Sequence, residues 1–246
     1  MTIALPKKAM ILAAGLGKRM RSHNNRVPKP LVEVCGKPLI DWSLDLVRDS
    51  GIDQVVVNTC YMADMLEEYL RKRNAPHITI SREDGEPLET GGGIKKALSL
   101  LGDEPFFVLN SDVISLNGVR PLLHRMAEQW DGNIMDGLML MAGAANSSGY
   151  YGRGDFSMSP AGILRRRREW ETVPFVFAGI QLLHPRAFAD TPDGAFSMNV
   201  LYNKNINPDR TLPRFRGIAH DGLWLHVGDG SGKAEAEKRL HDVCQI

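Results

Sequence analysis

Three stretches of the chain hold residue types that could do chemistry on phosphates. The first is Leu12-Ala13-Ala14-Gly15-Leu16-Gly17-Lys18-Arg19-Met20. Ala13, Ala14, Gly15 and Gly17 carry little or no side chain, so a ligand can reach their backbone N–H groups. Lys18 and Arg19 set two positive charges beside that backbone, a cradle suited to a triphosphate. A Gly-x-Gly by itself is more often an ordinary turn with solvated basic residues. The second stretch shifts that balance. In Pro28-Lys29-Pro30-Leu31-Val32 two prolines bracket one lysine, fixing the backbone on both sides and aiming one ammonium at a fixed point. The third is Asn110-Ser111-Asp112, just past an apolar run. A carboxylate there can hold Mg²⁺, which prefers oxygen ligands and bridges to phosphates. The plainer alternative is an Asp capping a turn.

A fourth stretch reads as a base-recognition loop: Asp84-Gly85-Glu86-Pro87-Leu88-Glu89-Thr90-Gly91-Gly92-Gly93. Three successive glycines open the backbone, and the start of the next helix offers free N–H groups. A uracil edge has one N–H between two carbonyls. Asp84 or Glu89 can accept from that N–H, and the backbone near Glu89 and Thr90 can donate to the carbonyls. Acidic residues drawn to a helix N-terminus account for the same composition.

The elements that must position these loops alternate. Residues 9–14 form a continuous apolar run, as expected for a strand buried on both faces. Strands are expected at 55–59, 78–81, 106–109 and 137–141, with helices at 38–50, 63–72, 93–101 and 119–130. Such alternation implies an α/β fold with a mainly parallel sheet flanked by helices. After about residue 146 the pattern changes. Two strands joined by a turn at Pro160-Ala161-Gly162 are expected over 156–168, and a strand over 173–183. A helix is expected at 195–203, a strand pair or bent strand at 217–227, and a closing helix at 233–243. The chain reads as one unit, 1–246, whose first half, 9–145, carries the phosphate-type loops and whose second half, 146–246, is an antiparallel extension.

Composition narrows the classes. With 43% hydrophobic and 24% charged residues the chain can bury a core, which excludes disorder as its dominant state. A net charge of +1 argues against a dedicated nucleic-acid binder. No apolar run approaches a membrane span, and the first residues do not read as a signal peptide. Cys35, Cys60 and Cys244 are too few and scattered for a disulfide framework and suggest a reducing cytoplasm.

The run LAAGLGKRM followed by PKPLVEVCGKPLI resembles the amino-terminal signature of the sugar-1-phosphate nucleotidyltransferases, which make nucleoside-diphosphate sugars and release pyrophosphate. The family's Rossmann-like core agrees with the alternation above. The wording GEPLETGGGI, then KALSLLGD, is similar to one branch, the N-acetylmuramate 1-phosphate uridylyltransferases of cell-wall recycling. Where guanylyl- and thymidylyltransferases usually carry leucine-glycine-threonine, this chain has Leu88-Glu89-Thr90. Further pieces at Gly152-Arg153-Gly154-Asp155-Phe156, Phe177-Ala178-Gly179-Ile180 and Gly194-Ala195-Phe196-Ser197 extend the likeness over nearly the whole chain.

The resemblance implies UTP and a sugar 1-phosphate as partners, with Arg19, Lys29 and Asp112 catalytic. It implies nucleotide contacts from Leu12, Ala13, Ala14, Gly15, Gly17, Lys18, Asp84, Glu89, Thr90 and Asn110. Gly152, Arg153, Glu169, Phe177 and Gly179 would face the sugar. Asp112 would hold Mg²⁺. The second metal position, usually acidic or Asn, is His226 here, and imidazole suits Mn²⁺, Zn²⁺ or Co²⁺ better. His226 as a direct or water-mediated ligand is favoured over Asp229 swinging in. Of the four successive arginines, Arg165 to Arg168, the plainer reading is a strand with solvated charges. The functional one is recognition of the lactyl carboxylate of muramate.

Two alternatives stand beside this reading. One is another sugar 1-phosphate, such as mannose 1-phosphate with GTP. The other is a nucleotide-sugar sensor without turnover, suggested by His226 and by the unusual Ser22-His23-Asn24-Asn25-Arg26. A monomer is expected, since no β-helix extension or long tail follows the family core. Gly228-Asp229-Gly230-Ser231-Gly232-Lys233 hints at a P-loop, but Ala234 stands where Ser or Thr is required. Arg153-Gly154-Asp155 matches an adhesion tripeptide without an extracellular setting.

Overall fold

The computed structural model describes residues 4–20, 26–206 and 213–244. The stretch at 22–25 singled out above lies outside them.

The apolar run becomes β1 (Lys8–Leu12). A β-hairpin, β2 (Glu33–Val34) and β3 (Lys37–Pro38), precedes α1 (Leu39–Asp49). Cys35 and Gly36 both take positive φ at its turn, as a tight two-residue hairpin requires. Then follow β4 (Gln54–Thr59), α2 (Ala63–Arg71), β5 (His77–Arg82), α3 (Glu89–Leu101) and β6 (Phe106–Asn110). Next come β7 (Val113–Ser115), α4 (Leu122–Gln129) and β8 (Gly137–Gly143). The second half adds β9 (Phe156–Met158), β10 (Leu164–Arg166), β11 (Phe175–Leu183) and α5 (Asn199–Asn205). It closes with β12 (Phe215–Ala219), β13 (Trp224–His226) and α6 (Gly230–Cys244).

Strands β5, β4, β1 and β6 lie side by side and parallel. β11 runs antiparallel between β6 and β8, and β12 returns parallel to β8. A strand from the second half is therefore wedged between two from the first, so one sheet serves both. The β9–β10 ribbon joins the start of β11 through Phe156 opposite Phe175.

Alternation along β1 explains the layers. Ala9 and Ile11 face a cluster containing Ile40, Leu44, Leu66, Leu70 and Leu122, from α1, α2 and α4. Met10 faces Ile94, Ala97, Leu101 and Leu201, from α3 and α5. A strand covered on both faces has no room for polar alternation, which is why this one reads as a continuous apolar run. A third cluster brings Met20, Val32 and Val34 against Leu225, Val227, Ala236 and Leu240. It anchors the ends of the two basic loops on β13 and α6.

Four expectations differ in detail. Helix α3 begins at Glu89 rather than 93, taking the three glycines into its first turns. Helix α4 begins at Leu122 rather than 119, because Asn117 Oδ1 accepts from Leu122 N–H at 2.8 Å and caps it there. Helix α5 begins at Asn199 because residues 194–198 are spent packing on α3. Strands β12 and β13 do not pair with each other: β12 joins β8, while β13 pairs antiparallel with β7.

Candidate active site

The phosphate-type residues converge on one cleft at the carboxyl ends of β1, β4 and β6, enclosing about 310 Å³. This is where open α/β sheets bind ligands. Its lining includes Leu12, Ala13, Ala14, Gly15, Gly17, Lys18 and Arg19 from the first loop, with Lys29 and Pro30 from the second. Glu89, Thr90, Asn110, Ser111, Asp112 and Gly228 complete the residues expected or adjacent to those expected. Lys29 lies in a short 3₁₀ turn, Lys29–Leu31, held by Leu31 N–H to Pro28 O at 2.9 Å. Its Nζ donates to Asp112 Oδ2 at 2.9 Å. Burial would raise the Asp112 carboxyl, but attraction and the hydrogen bond from Lys29, then His226 and Arg19, hold it below its ordinary value. The cleft thus keeps an ionised carboxylate and a fixed ammonium side by side.

Asp84 lies outside this lining, with an exposed side chain, while its neighbour Glu83 is 3% exposed and inside. Glu83 belongs to a relay that sequence reasoning missed. Ala13 N–H donates to Asn58 Oδ1 at 2.8 Å, and Asn58 Nδ2 donates to Glu83 Oε1 at 2.7 Å. Leu88 N–H donates to Glu83 Oε2 at 2.8 Å. One buried pair therefore ties the phosphate loop to the loop before α3.

The three glycines act differently from the expectation. Gly91 and Gly92 N–H both donate to Phe196 O, at 2.8 and 3.0 Å, so they are not free for a base. A Cβ at Gly93 would stand 2.7 Å from Glu83 Oε1 and 2.8 Å from Asn58 Nδ2. The glycines let α3 press against the relay and against residues 194–196. Glu89 has φ +57°, a left-handed conformation that disfavours side chains, and it lines the cleft.

His226 reaches the neighbourhood of Asp112 through the β7–β13 pairing, in which His226 faces Val113 and Val227 N–H donates to Asp112 O at 3.0 Å. The imidazole stacks on Trp224 with planes 4° apart. Its Nδ1 lies 3.4 Å from Gly149 O. A proton on Nδ1 satisfies that carbonyl and leaves the Nε2 lone pair free, the tautomer a metal ligand needs. Asp229 is occupied elsewhere: its Oδ1 accepts from Ser231 Oγ at 2.7 Å and Gly232 N–H at 2.9 Å, at the start of α6. Among the described residues no three His, Cys, Asp or Glu side chains gather as a metal cluster.

Beyond Asn110 the cleft continues as a groove. Leu12, Thr90 and Asn110 also line a second cavity with Phe177, Gln181, Asn199 and Tyr202. Phe177, Asn199 and Tyr202 in turn line a third with Asp155, Phe156, Arg166 and Arg167. Of the expected sugar-facing residues Phe177 lines this groove, and four do not. Gly152 is packed beside the Tyr150 ring, and Arg153 and Glu169 are exposed. Gly179 is buried at φ +76°, where a Cβ would stand 3.1 Å from Asn110 Cβ. It sits in a β-bulge between Phe177 and Gln181. Asp155, Asn199 and Tyr202 were missed, since they come from a loop and a helix far apart in sequence.

The described residues include no helix long and apolar enough to cross a membrane. Residues 9–145 match the MobA-like NTP transferase domain. Over 97% of this chain and 98% of the relative, the sequence is 43% identical to N-acetylmuramate alpha-1-phosphate uridylyltransferase of Caulobacter vibrioides. It is 32% identical to the protein of the same name from Neisseria meningitidis, over 94% and 96% of the two chains. In three dimensions it resembles HddC from Yersinia pseudotuberculosis complexed with GMP-PN, with a TM-score of 0.75, 22% identity and coverage of 95% and 99%. The matched residues run from β1 to the end of β8 and include both basic loops: the chain belongs to the MobA-like NTP transferases.

Proposed function

We propose that the protein transfers a uridylyl group from UTP to N-acetylmuramate α-1-phosphate, giving the UDP-sugar and pyrophosphate. The observation that carries this reading is the 43% identity running end to end with the Caulobacter vibrioides enzyme. The cleft supports it: a basic glycine loop, a fixed lysine and a carboxylate line one side, and the groove leads to a second compartment.

An oxygen of the sugar phosphate attacks the α-phosphorus of UTP, and the bond from that phosphorus to the pyrophosphate oxygen breaks. A phosphate oxygen is a nucleophile near neutral pH, so no general base is needed. What the protein must supply is positioning and charge neutralisation. Arg19 and the loop from Ala13 to Lys18 take the leaving pyrophosphate. Lys29 stands at the α-phosphate and offsets the charge that develops there. The uracil is read by the Glu89 carboxylate and the nearby backbone, while Asp84 lies outside the cleft. Phe177 lies along the sugar.

The donor set fits a magnesium ion. Asp112 offers one carboxylate and His226 one imidazole, leaving the remaining positions to phosphates and water, as Mg²⁺ commonly arranges. When bound, the ion would neutralise charge shared between the two anionic substrates; Mn²⁺ would suit the imidazole better. The 1–246 chain acts in this proposal as one cytoplasmic unit, nucleotide at 9–145 and sugar at 146–246.

The test is pyrophosphate release from UTP and N-acetylmuramate α-1-phosphate by wild type and Asp112→Ala. Release by wild type, reduced about 100-fold or more in the variant, supports the reading. Silence of wild type with both Mg²⁺ and Mn²⁺, despite UTP binding, would favour a sensor without turnover.

A further inference from the structure

The four arginines at 165–168 do not share one role. Arg165 is neutralised by Glu171 at 2.7 Å. Arg167 staples main chain: its Nε donates to Gly154 O at 3.0 Å and its Nη1 to Arg168 O and Glu169 O, each at 2.9 Å. Arg168 is exposed. Arg166 is different. It lines the outer compartment of the groove, yet no carboxylate pairs with it in the described structure. Its Nη1 and Nη2 donate to the amide oxygens of Asn203 and Asn199, one turn apart on α5. Its guanidinium lies 5.9 Å above the Phe156 ring, opposite it in the β9–β10 ladder. Two neutral amides and an aromatic face hold the fork in one orientation without cancelling its charge. Asp155, the acid in that compartment, accepts from Phe177 N–H at 3.0 Å.

We infer that Arg166 is a specificity-determining residue that reads a carboxylate on the sugar. This rests on the proposed uridylyl transfer and deepens it by assigning the residue that recognises the acidic substituent of the hexose 1-phosphate. In N-acetylmuramate that group is the lactyl carboxylate at the 3-oxygen, absent from N-acetylglucosamine. Planar fork-to-carboxylate contacts give geometric selectivity as well as charge. A site built for a charged partner also rejects the analogue that leaves it unpaired.

The test compares kcat/KM with UTP for N-acetylmuramate α-1-phosphate, its lactyl methyl ester and N-acetylglucosamine α-1-phosphate, in wild type, Arg166→Met and Arg166→Lys. Wild type should favour the free carboxylate over its ester by about 100-fold, the scale of a charged hydrogen-bonded pair. In Arg166→Met that preference should collapse to within a few-fold, with Arg166→Lys between. The ester comparison in wild type needs no variant, so it stands even if Arg166→Met misfolds. Equal turnover of acid and ester by wild type overturns the inference while leaving uridylyl transfer intact. So does an equal loss on all three sugars in a variant that still binds UTP. Failure of wild type to use any of the three would overturn both.

Discussion

Replacing Glu83 by Gln tests whether the buried relay positions both nucleotide loops. Its two ends, Ala13 N–H and Leu88 N–H, are both donors. Asn58 accepts on one side and donates on the other, so the group at position 83 must accept twice. A carboxylate does; a carboxamide accepts once and donates once. Turning either amide only moves the fault, so in Glu83→Gln one buried N–H must face another. A buried donor left without a partner costs about 1–3 kcal/mol. Removing a buried charge relieves some desolvation, which favours the lower part of that range. For a chain of this size, 1–2 kcal/mol lowers Tm by about 2–8 °C. Because each end of the relay is in a nucleotide loop, KM for UTP should rise several-fold while KM for the sugar phosphate moves less. The assays are thermal unfolding and initial rates at varied UTP. A Tm within about 1 °C of wild type, together with an unchanged KM, would refute the reasoning.

Other perturbations follow from the same geometry. Lys29→Ala and Asp112→Asn should each lower kcat/KM about 100-fold or more in steady-state rates, with UTP-independent folding retained by circular dichroism. Glu89→Gly removes a side chain from φ +57° and should raise Tm by the relief of about 1 kcal/mol, while UTP loses its advantage over other nucleotides in competition rates. An unchanged advantage would remove Glu89 from base reading. Asp136 bridges Arg186 and Arg214; burial would raise its carboxyl, but hydrogen bonds and attraction from Arg214 and Arg186 hold it below the usual range. Its stabilisation is therefore complete above about pH 5, starts to be lost as pH falls toward the ordinary carboxylate value, and is gone below the lowered one. Asp136→Asn should flatten the acid limb of Tm against pH, and a parallel limb would contradict this.

Much of the site was legible because its parts are local. The apolar run of β1, the basic glycine loop and the proline-bracketed Lys29 are short segments whose composition dictates their geometry. What escaped depends on register and on distant partners. Side chains alternate along an extended strand, and burial of Ser81 and Glu83 with exposure of Arg82 and Asp84 carries that alternation past the end of β5. Period-two counting from Ser81 would have selected Glu83 instead of Asp84. Glycines serve both open backbone and close packing; the choice is made at Gly91 and Gly92 by residues 194–196, about a hundred positions away, and at Gly93 by Glu83 and Asn58. The arginines at 165–168 look alike in sequence; only their partners separate the staple, the ion pair and the unneutralised fork.

The most direct measurement is a single-pot competition. The protein would meet equimolar UTP, GTP, dTTP and CTP with the 1-phosphates of N-acetylmuramate, N-acetylglucosamine, glucose and mannose, and products would be identified by mass. UDP-N-acetylmuramate as the dominant product, formed one-to-one with pyrophosphate, is the predicted result. A guanylyl or thymidylyl sugar in its place, or a UDP-sugar without the lactyl carboxylate, would contradict the account.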